Sequence, residues 1–261
     1  MLTLAIANQK GGVGKTTAVA NLGRLLSQEH QLRIALIDLD PQGNLSMAFE
    51  YERVGRSLAE WLMNSSSPPD GFLSHISPTL ALFPSDQSLA GAEVALARAQ
   101  HSTLALSRCI ERLKGSFDAV LIDCPPSLGI LTVNALTAAD AVLVPLQCSY
   151  WSIQGLRQLL DVIERVKTHG NPNLRVLGIL LNQADVRTLH AREVIAGIRS
   201  RFGDLVFGPV IPRTVRFDDA TSVHEPLVSF APKTPAAQAY AAVAQEIVHR
   251  SGLFARKGDV M

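Results

Sequence analysis

The segment GGVGKTT at 11–17 constrains this chain more than any other. Three glycines in four positions stand between a strand-length apolar run, LTLAIAN (2–8), and a stretch of helical periodicity near 15–28. Glycines have no Cβ, so backbone N–H groups can converge on phosphate oxygens at the start of a helix. Such a loop requires a strand before it and a helix after it, which sets a β–loop–α unit as the first element of the fold. Gly11, Gly12, Val13, Gly14, Lys15, Thr16 and Thr17 are the candidate phosphate residues. Lys15 would contact the β- and γ-phosphates and the Thr16 hydroxyl would ligate Mg²⁺. The strict pattern asks for glycine at position 9, where the chain has Gln9, and the loop carries an additional lysine, Lys10. The loop is a variant.

The rest of the chain repeats the alternation. Apolar runs RIALID (33–38), LALFP (80–84), DAVLID (118–123), AVLVPL (141–146), LRVLGILLN (174–182) and VFGPVIP (206–212) are separated by helical stretches near 102–114, 128–138, 152–168, 190–201 and 235–249. Strands that are apolar throughout imply a sheet covered on both faces, and strand–helix alternation implies parallel pairing. The expected fold is a doubly wound α/β structure with a mostly parallel sheet, its ligand at the carboxyl ends of the strands. With 261 residues, 47% hydrophobic, and no linker dividing the motifs, residues 1–261 are read as one domain with 251–261 as a frayed tail. NSSSPPDG (64–71) reads as a surface loop, a hinge between domains being the alternative.

Two strand ends carry acids. RIALIDLDPQGN places Asp38 at the end of one strand and Asp40 two residues on, so a still-extended backbone would put both carboxylates on one side, toward metal and γ-phosphate. VLIDCPPS ends a second strand in Asp123, which suits a carboxylate holding Mg²⁺ directly or through water. A buried strand-end aspartate needs some cation or donor facing it.

Composition excludes other classes. Cys109, Cys124 and Cys148 have neither metal-ligand spacing nor a CxxC pair, so reduced thiols in a cytoplasmic protein are expected. The chain starts with a strand-like run rather than a signal peptide, and no apolar run approaches the roughly 18 residues needed to span a bilayer. A net charge of +1 argues against a polycationic nucleic-acid binder, while leaving room for a local patch.

KGGVGKTT, DLDPQGN, DCPPSLGILTVNAL, VPLQCSYWSIQGLRQLL and IPRTVRFDDA together resemble the ParA/MinD superfamily of deviant-Walker ATPases. The resemblance runs from residue 3 to about 249 and is greatest to small Soj-type ParA partition proteins; carboxysome-positioning McdA proteins are also similar. It implies an ATP- and Mg²⁺-dependent ATPase of weak intrinsic rate that dimerises around ATP, with Lys10 crossing to the partner's nucleotide. A cation supplied in trans stabilises charge on the transferring phosphoryl group. The resemblance assigns Asp40 to the attacking water, Asp123 to the Walker B position and Asp38 to support of the Mg²⁺ shell. It makes Asn182 and Ile211-Pro212-Arg213 candidates for adenine contacts. Gln154, Thr214 and Asp218-Asp219 depart from the family's usual residues, which bears on partner choice.

Between Arg187 and Arg216 six arginines face Glu193 and Asp204, a local excess of four positive charges. The family reading is nucleoid localisation through ATP-dependent, non-specific binding to double-stranded DNA, with Arg187, Arg213 and Arg216 as candidates and a ParB-like protein stimulating hydrolysis. A MinD-like membrane switch would need a C-terminal amphipathic helix. Tyr240, Val243 and Ile247 form a stripe there, but alanine surrounds it and the tail offers only Leu253 and Phe254 beside Arg256 and Lys257. The stripe is read as core packing. A nitrogenase-reductase-like role lacks the cysteines, and an ATP-dependent ligase lacks a visible second substrate constellation.

Overall fold

The computed structural model describes residues 1–52, 54–100, 102–148 and 152–253, the side chains of 152–154 excepted. Along the chain run β1 (Leu2–Ile6), α1 (Lys15–Gln28), β2 (Ile34–Asp38), α2 (Asn44–Met47), α3 (Leu58–Met63), β3 (Ser74–Ser77), β4 (Leu80–Phe83), α4 (Ser88–Arg98) and α5 (Ala105–Glu111). Then follow β5 (Ala119–Asp123), α6 (Ile130–Ala138), β6 (Ala141–Gln147), α7 (Ser152–His169), β7 (Arg175–Asn182), α8 (Leu189–Phe202), α9 (Arg216–Ser222), α10 (Leu227–Phe230) and α11 (Pro235–Ser251).

The seven strands form one sheet in the order β3-β4-β2-β5-β1-β6-β7. All neighbours pair in parallel except β3 with β4. This is the doubly wound α/β class expected from the alternation. β1 lies between β5 and β6, so the chain changes direction of travel across the sheet at β1, and the loops after β1, β2 and β5 gather at one edge.

Side-chain alternation explains the unbroken apolar strands. Ala5, Ile37 and Ile122 point into a core roofed by α3 to α8, while Leu4, Ile6, Leu36 and Leu121 point into a second core roofed by α1 and α9 to α11. Neither face of the inner strands β1, β2, β4 and β5 meets water. Tyr240, Val243 and Ile247 are fully buried in the second core, as the core-packing reading of that stripe required.

Some expectations need correction. Residues 206–212 do not form a seventh parallel strand. Phe207 N–H donates to the Ile179 carbonyl and Ile211 N–H to the Leu181 carbonyl, both at 2.9 Å, but only isolated bridges result. Pro209 and Pro212 have no N–H, so a ladder cannot propagate through them. The edge strand β3 (SHIS) escaped the sequence reading because it is short, polar and partly exposed. Helices α2, α3, α4, α9 and α10 were also unread; most are shorter than the windows that periodicity needs. The 64–71 segment is a loop containing one 3₁₀ turn, Pro69–Gly71. Beside it, buried Trp61 stacks on Phe83 at 4.8 Å and Phe72 at 5.6 Å. Phe254, Arg256 and Lys257 and the Gln154 side chain lie outside the described residues.

Candidate nucleotide site

Helix α1 begins without a cap. Its N-cap is Gly14, at φ 85°, with no side-chain hydrogen bond and no acid in the first turn. By contrast, Ser57, Thr188 and Thr234 cap α3, α8 and α11 with side-chain oxygens. The first N–H groups of α1 therefore remain available to an outside acceptor, and an anion satisfies them best. They face a cavity of about 430 Å³ lined by Gly11, Gly12, Gly14, Lys15, Thr16, Thr17 and Asp40. Its other walls are α2, through Asn44 and Met47, and the α9–α10 segment, through Phe217, Ala220, His224, Pro226 and Leu227.

Charges at the cavity floor are held out of balance. The Thr16 hydroxyl donates to Asp123 Oδ2 at 2.6 Å, whereas Asp123 Oδ1 is buried without a partner. Burial, followed by the nearby Asp38 carboxylate, raises the Asp123 pKa well above the carboxylate range. Lys15 is itself buried, with Nζ 3.3 Å from the Lys10 carbonyl; desolvation lowers its pKa, opposed by Asp123, Cys124 and Asp40. An orphaned carboxylate oxygen beside a threonine hydroxyl and below an open anion cradle fits a hard, oxygen-preferring cation carried in with phosphate oxygens. Mg²⁺ is the cation that keeps such partly solvated, few-ligand sites.

The two aspartates of DLDPQ both act on Asp123, but only Asp40 lines the cavity. Asp38 Oδ2 accepts from the Ser46 backbone N–H at 2.8 Å and hydroxyl at 2.6 Å, and Oδ1 accepts from the Asp40 N–H at 3.2 Å. Burial pushes its pKa up to about 6. Asp38 does not line the cavity, while Asp40 does, so Asp38 supports the site by holding the backbone of Asp40. Ser46, eight residues downstream in α2, takes up Asp38 Oδ2, which the spacing of the two acids does not announce.

Beside the phosphate cavity lies a second one of about 280 Å³, sharing Thr17, Gln183 and Phe217 with it and lined also by Gln147, Asn182, Arg213, Thr214 and Asp218. Asn182 lines this cavity and also buttresses the phosphate loop: Nδ2 donates to the Val13 carbonyl and Oδ1 accepts from the Gln183 N–H, both at 2.9 Å. Pro212 sits half-buried next to the Ala184 bridge, just behind Arg213 and Thr214. Gln183, Phe217, His224 and Leu227 were not picked out from sequence; only their fold position brings them here.

Lys10 stands at the rim. Its Nζ donates to Gln147 Oε1 at 3.0 Å, at the end of β6, and it does not line the phosphate cavity of its own chain. The three candidate DNA arginines do not form one free patch. Arg187 pairs with Asp185 at 2.8 Å and Arg216 with Asp219 at 3.2 Å, acids just outside the window in which charge was counted. Arg213 borders the second cavity. Arg199 is hydrogen-bonded to the carbonyls of Phe207 and Gly208. All three cysteines are free thiols; burial raises the pKa of Cys109 to about 12, that of Cys148 to about 11 and that of Cys124 further.

A family model described as an AAA domain matches residues 1–176. The chain is 43% identical over 251 residues to the chromosome partitioning protein ParA of Caulobacter vibrioides, covering 95% of this chain and 94% of that protein. It is 39% identical over 246 residues to the sporulation initiation inhibitor protein Soj of Bacillus subtilis, covering 94% and 97%. Among solved structures, one described as cobyrinic acid a,c-diamide synthase from Mycobacterium smegmatis, with a bound ATP analogue and magnesium, is 39% identical with a TM-score of 0.81, covering 97% of each chain. An ATP complex of a Cyanothece McdA variant is 25% identical with a TM-score of 0.84, covering 97% of this chain and 96% of that one. With the phosphate loop, the acids and the sheet order all in place, the chain belongs to the ParA/Soj family of partition ATPases.

Proposed function

We propose that this ATPase is a nucleotide-driven positioning switch. Mg²⁺-ATP occupies the two cavities, with the phosphates on Gly11–Thr17, the cation near Thr16 and Asp123, and Asp40 orienting the attacking water. Two protomers close around ATP, and Lys10 of each completes the site of the other. The dimer holds double-stranded DNA without sequence preference, a ParB-like partner stimulates hydrolysis, and the protein is cytoplasmic and associated with the nucleoid.

The observation that carries this reading is the direction of Lys10. Lys10 lies off the phosphate cavity of its own chain, and its Nζ bonds only the neutral Gln147 amide at the border of the second cavity, which supports a role toward a partner's phosphates. Arg187 and Arg216 remain usable for DNA because exposed ion pairs are weak and are screened by salt, whereas a phosphate contact releases counterions. The membrane alternative is less supported, because the Tyr240–Val243–Ile247 stripe is buried in the core rather than open to a bilayer surface.

One experiment tests the switch. Asp40→Ala protein, loaded with Mg²⁺-ATP, should form a stable dimer that does not turn over and that retards random duplex DNA in a gel but does not sediment with liposomes. A monomer in ATP would sink the role of Asp40, and liposome binding without DNA retardation would favour the membrane reading.

A further inference from the structure

The two walls of the phosphate cavity are joined by one side chain. His224 Nδ1 lies 2.7 Å from the Met47 carbonyl oxygen, across 177 residues of sequence. A carbonyl only accepts, so Nδ1 carries the proton and donates. Met47 is the last residue of α2, and its carbonyl is one of those a helix end leaves unsatisfied.

His224 reaches that carbonyl from an unusual backbone position. Its N–H bonds the Thr221 carbonyl and the Glu225 N–H bonds the Ala220 carbonyl, each at 3.1 Å, the paired closure that ends α9. The residue at the turn of such a closure is left-handed and usually glycine; His224 holds φ 55° there. A β-carbon in that conformation is strained, and strain of this kind persists where the surroundings over-determine it. Here the compensating contact is the bond to α2.

The wall it fastens is the one that carries Asp40. Ser46, the neighbour of Met47, holds Asp38 with its N–H and hydroxyl, and Asp38 holds the Asp40 N–H. The wall it fastens from carries Phe217, Ala220 and Leu227 over the nucleotide cavity. We propose that His224 is a positioning residue that latches the Asp40 wall to the α9–α10 wall, so that the cavity is held closed on its nucleotide and release requires this latch to open. The inference rests on the reading of this cavity as the nucleotide site.

The variants separate a latch from a merely structural residue. His224→Gly removes the imidazole and relieves the left-handed backbone. His224→Asn tolerates that backbone and keeps an N–H donor at the position of Nδ1. Release of a fluorescent ADP analogue with Mg²⁺ is followed by stopped-flow displacement, beside thermal melting of the nucleotide-free proteins and a Lys15→Ala control. His224→Gly should release the analogue roughly fivefold faster, the equivalent of one ordinary hydrogen bond. Its melting temperature should not fall, and His224→Asn should restore slow release. Wild-type release from His224→Gly, with Lys15→Ala unable to bind, overturns the latch alone. A Lys15→Ala protein that still binds the analogue overturns the cavity reading and the latch with it.

Discussion

Gly14 is the residue on which the loop turns. It holds φ 85°, and a Cβ built there would overlap Asn182 Nδ2, the amide that braces the Val13 carbonyl from β7. Gly14→Ala is therefore expected to cost at least about 1–2 kcal/mol from the left-handed backbone alone. Chemical denaturation should show that loss, and titration with a fluorescent nucleotide should show weakened binding. Adding Asn182→Ala should recover part of the stability, since the two sites share one contact and will not behave additively. At this scale much of the site could be read from residue types: GGVGKTT apart from Val13 lines the cavity with Asp40, and buried Asp123 holds the Thr16 hydroxyl beneath them. Asn182 was named for adenine contact, but its bracing role could not be read, because a side chain that braces a loop 169 positions away leaves no local pattern.

Helix α2 shows what an element of four residues can do. Too short to register as periodicity, it returns the chain over the end of β2 and delivers Ser46 to Asp38. The Ser46 hydroxyl also accepts from the Ser85 N–H at 2.9 Å, so one side chain joins the ends of β2 and β4. Ser46→Ala leaves buried Asp38 short of a donor and Ser85 N–H short of an acceptor. We expect a loss of about 1–3 kcal/mol by denaturant titration. Turnover should fall more than ATP affinity, because Asp38 fixes the Asp40 backbone rather than the phosphates; steady-state phosphate release against nucleotide titration separates the two. The long helices α1, α7, α8 and α11 were legible from 3.6-residue periodicity. The segment 206–212 looked like a strand by composition and is not one, since two prolines cut the donors that a ladder needs.

For the whole molecule, the open question in the loop was its extra lysine. In the free chain Lys10 rests on Gln147, off the phosphate cavity, so removing it should leave nucleotide affinity nearly intact. Lys10→Ala is expected to bind ATP like wild type yet lose turnover, by roughly 10³ if it contributes as a cation finger acting in trans does. Phosphate release beside sedimentation in ATP would check both parts; a parallel loss of affinity would mean that Lys10 serves its own site. The arginine patch taught the opposite lesson. Counting charge between 187 and 216 left out Asp185 and Asp219, and the fold pairs those acids with two of the three arginines proposed to meet DNA.

Sequence alone determined the architecture and the phosphate chemistry of this protein. Both are local: apolar runs declare buried strands, glycines declare a loop that approaches anions, and acids at strand ends declare a cation site. Only tertiary structure decided which carboxylate lines the cavity, which asparagine braces the loop, where Lys10 points and that His224 joins the two walls. Those facts depend on side chains brought together from distant parts of the chain, and their distances are set by how helices pack on the two faces of the sheet, which no local spacing encodes.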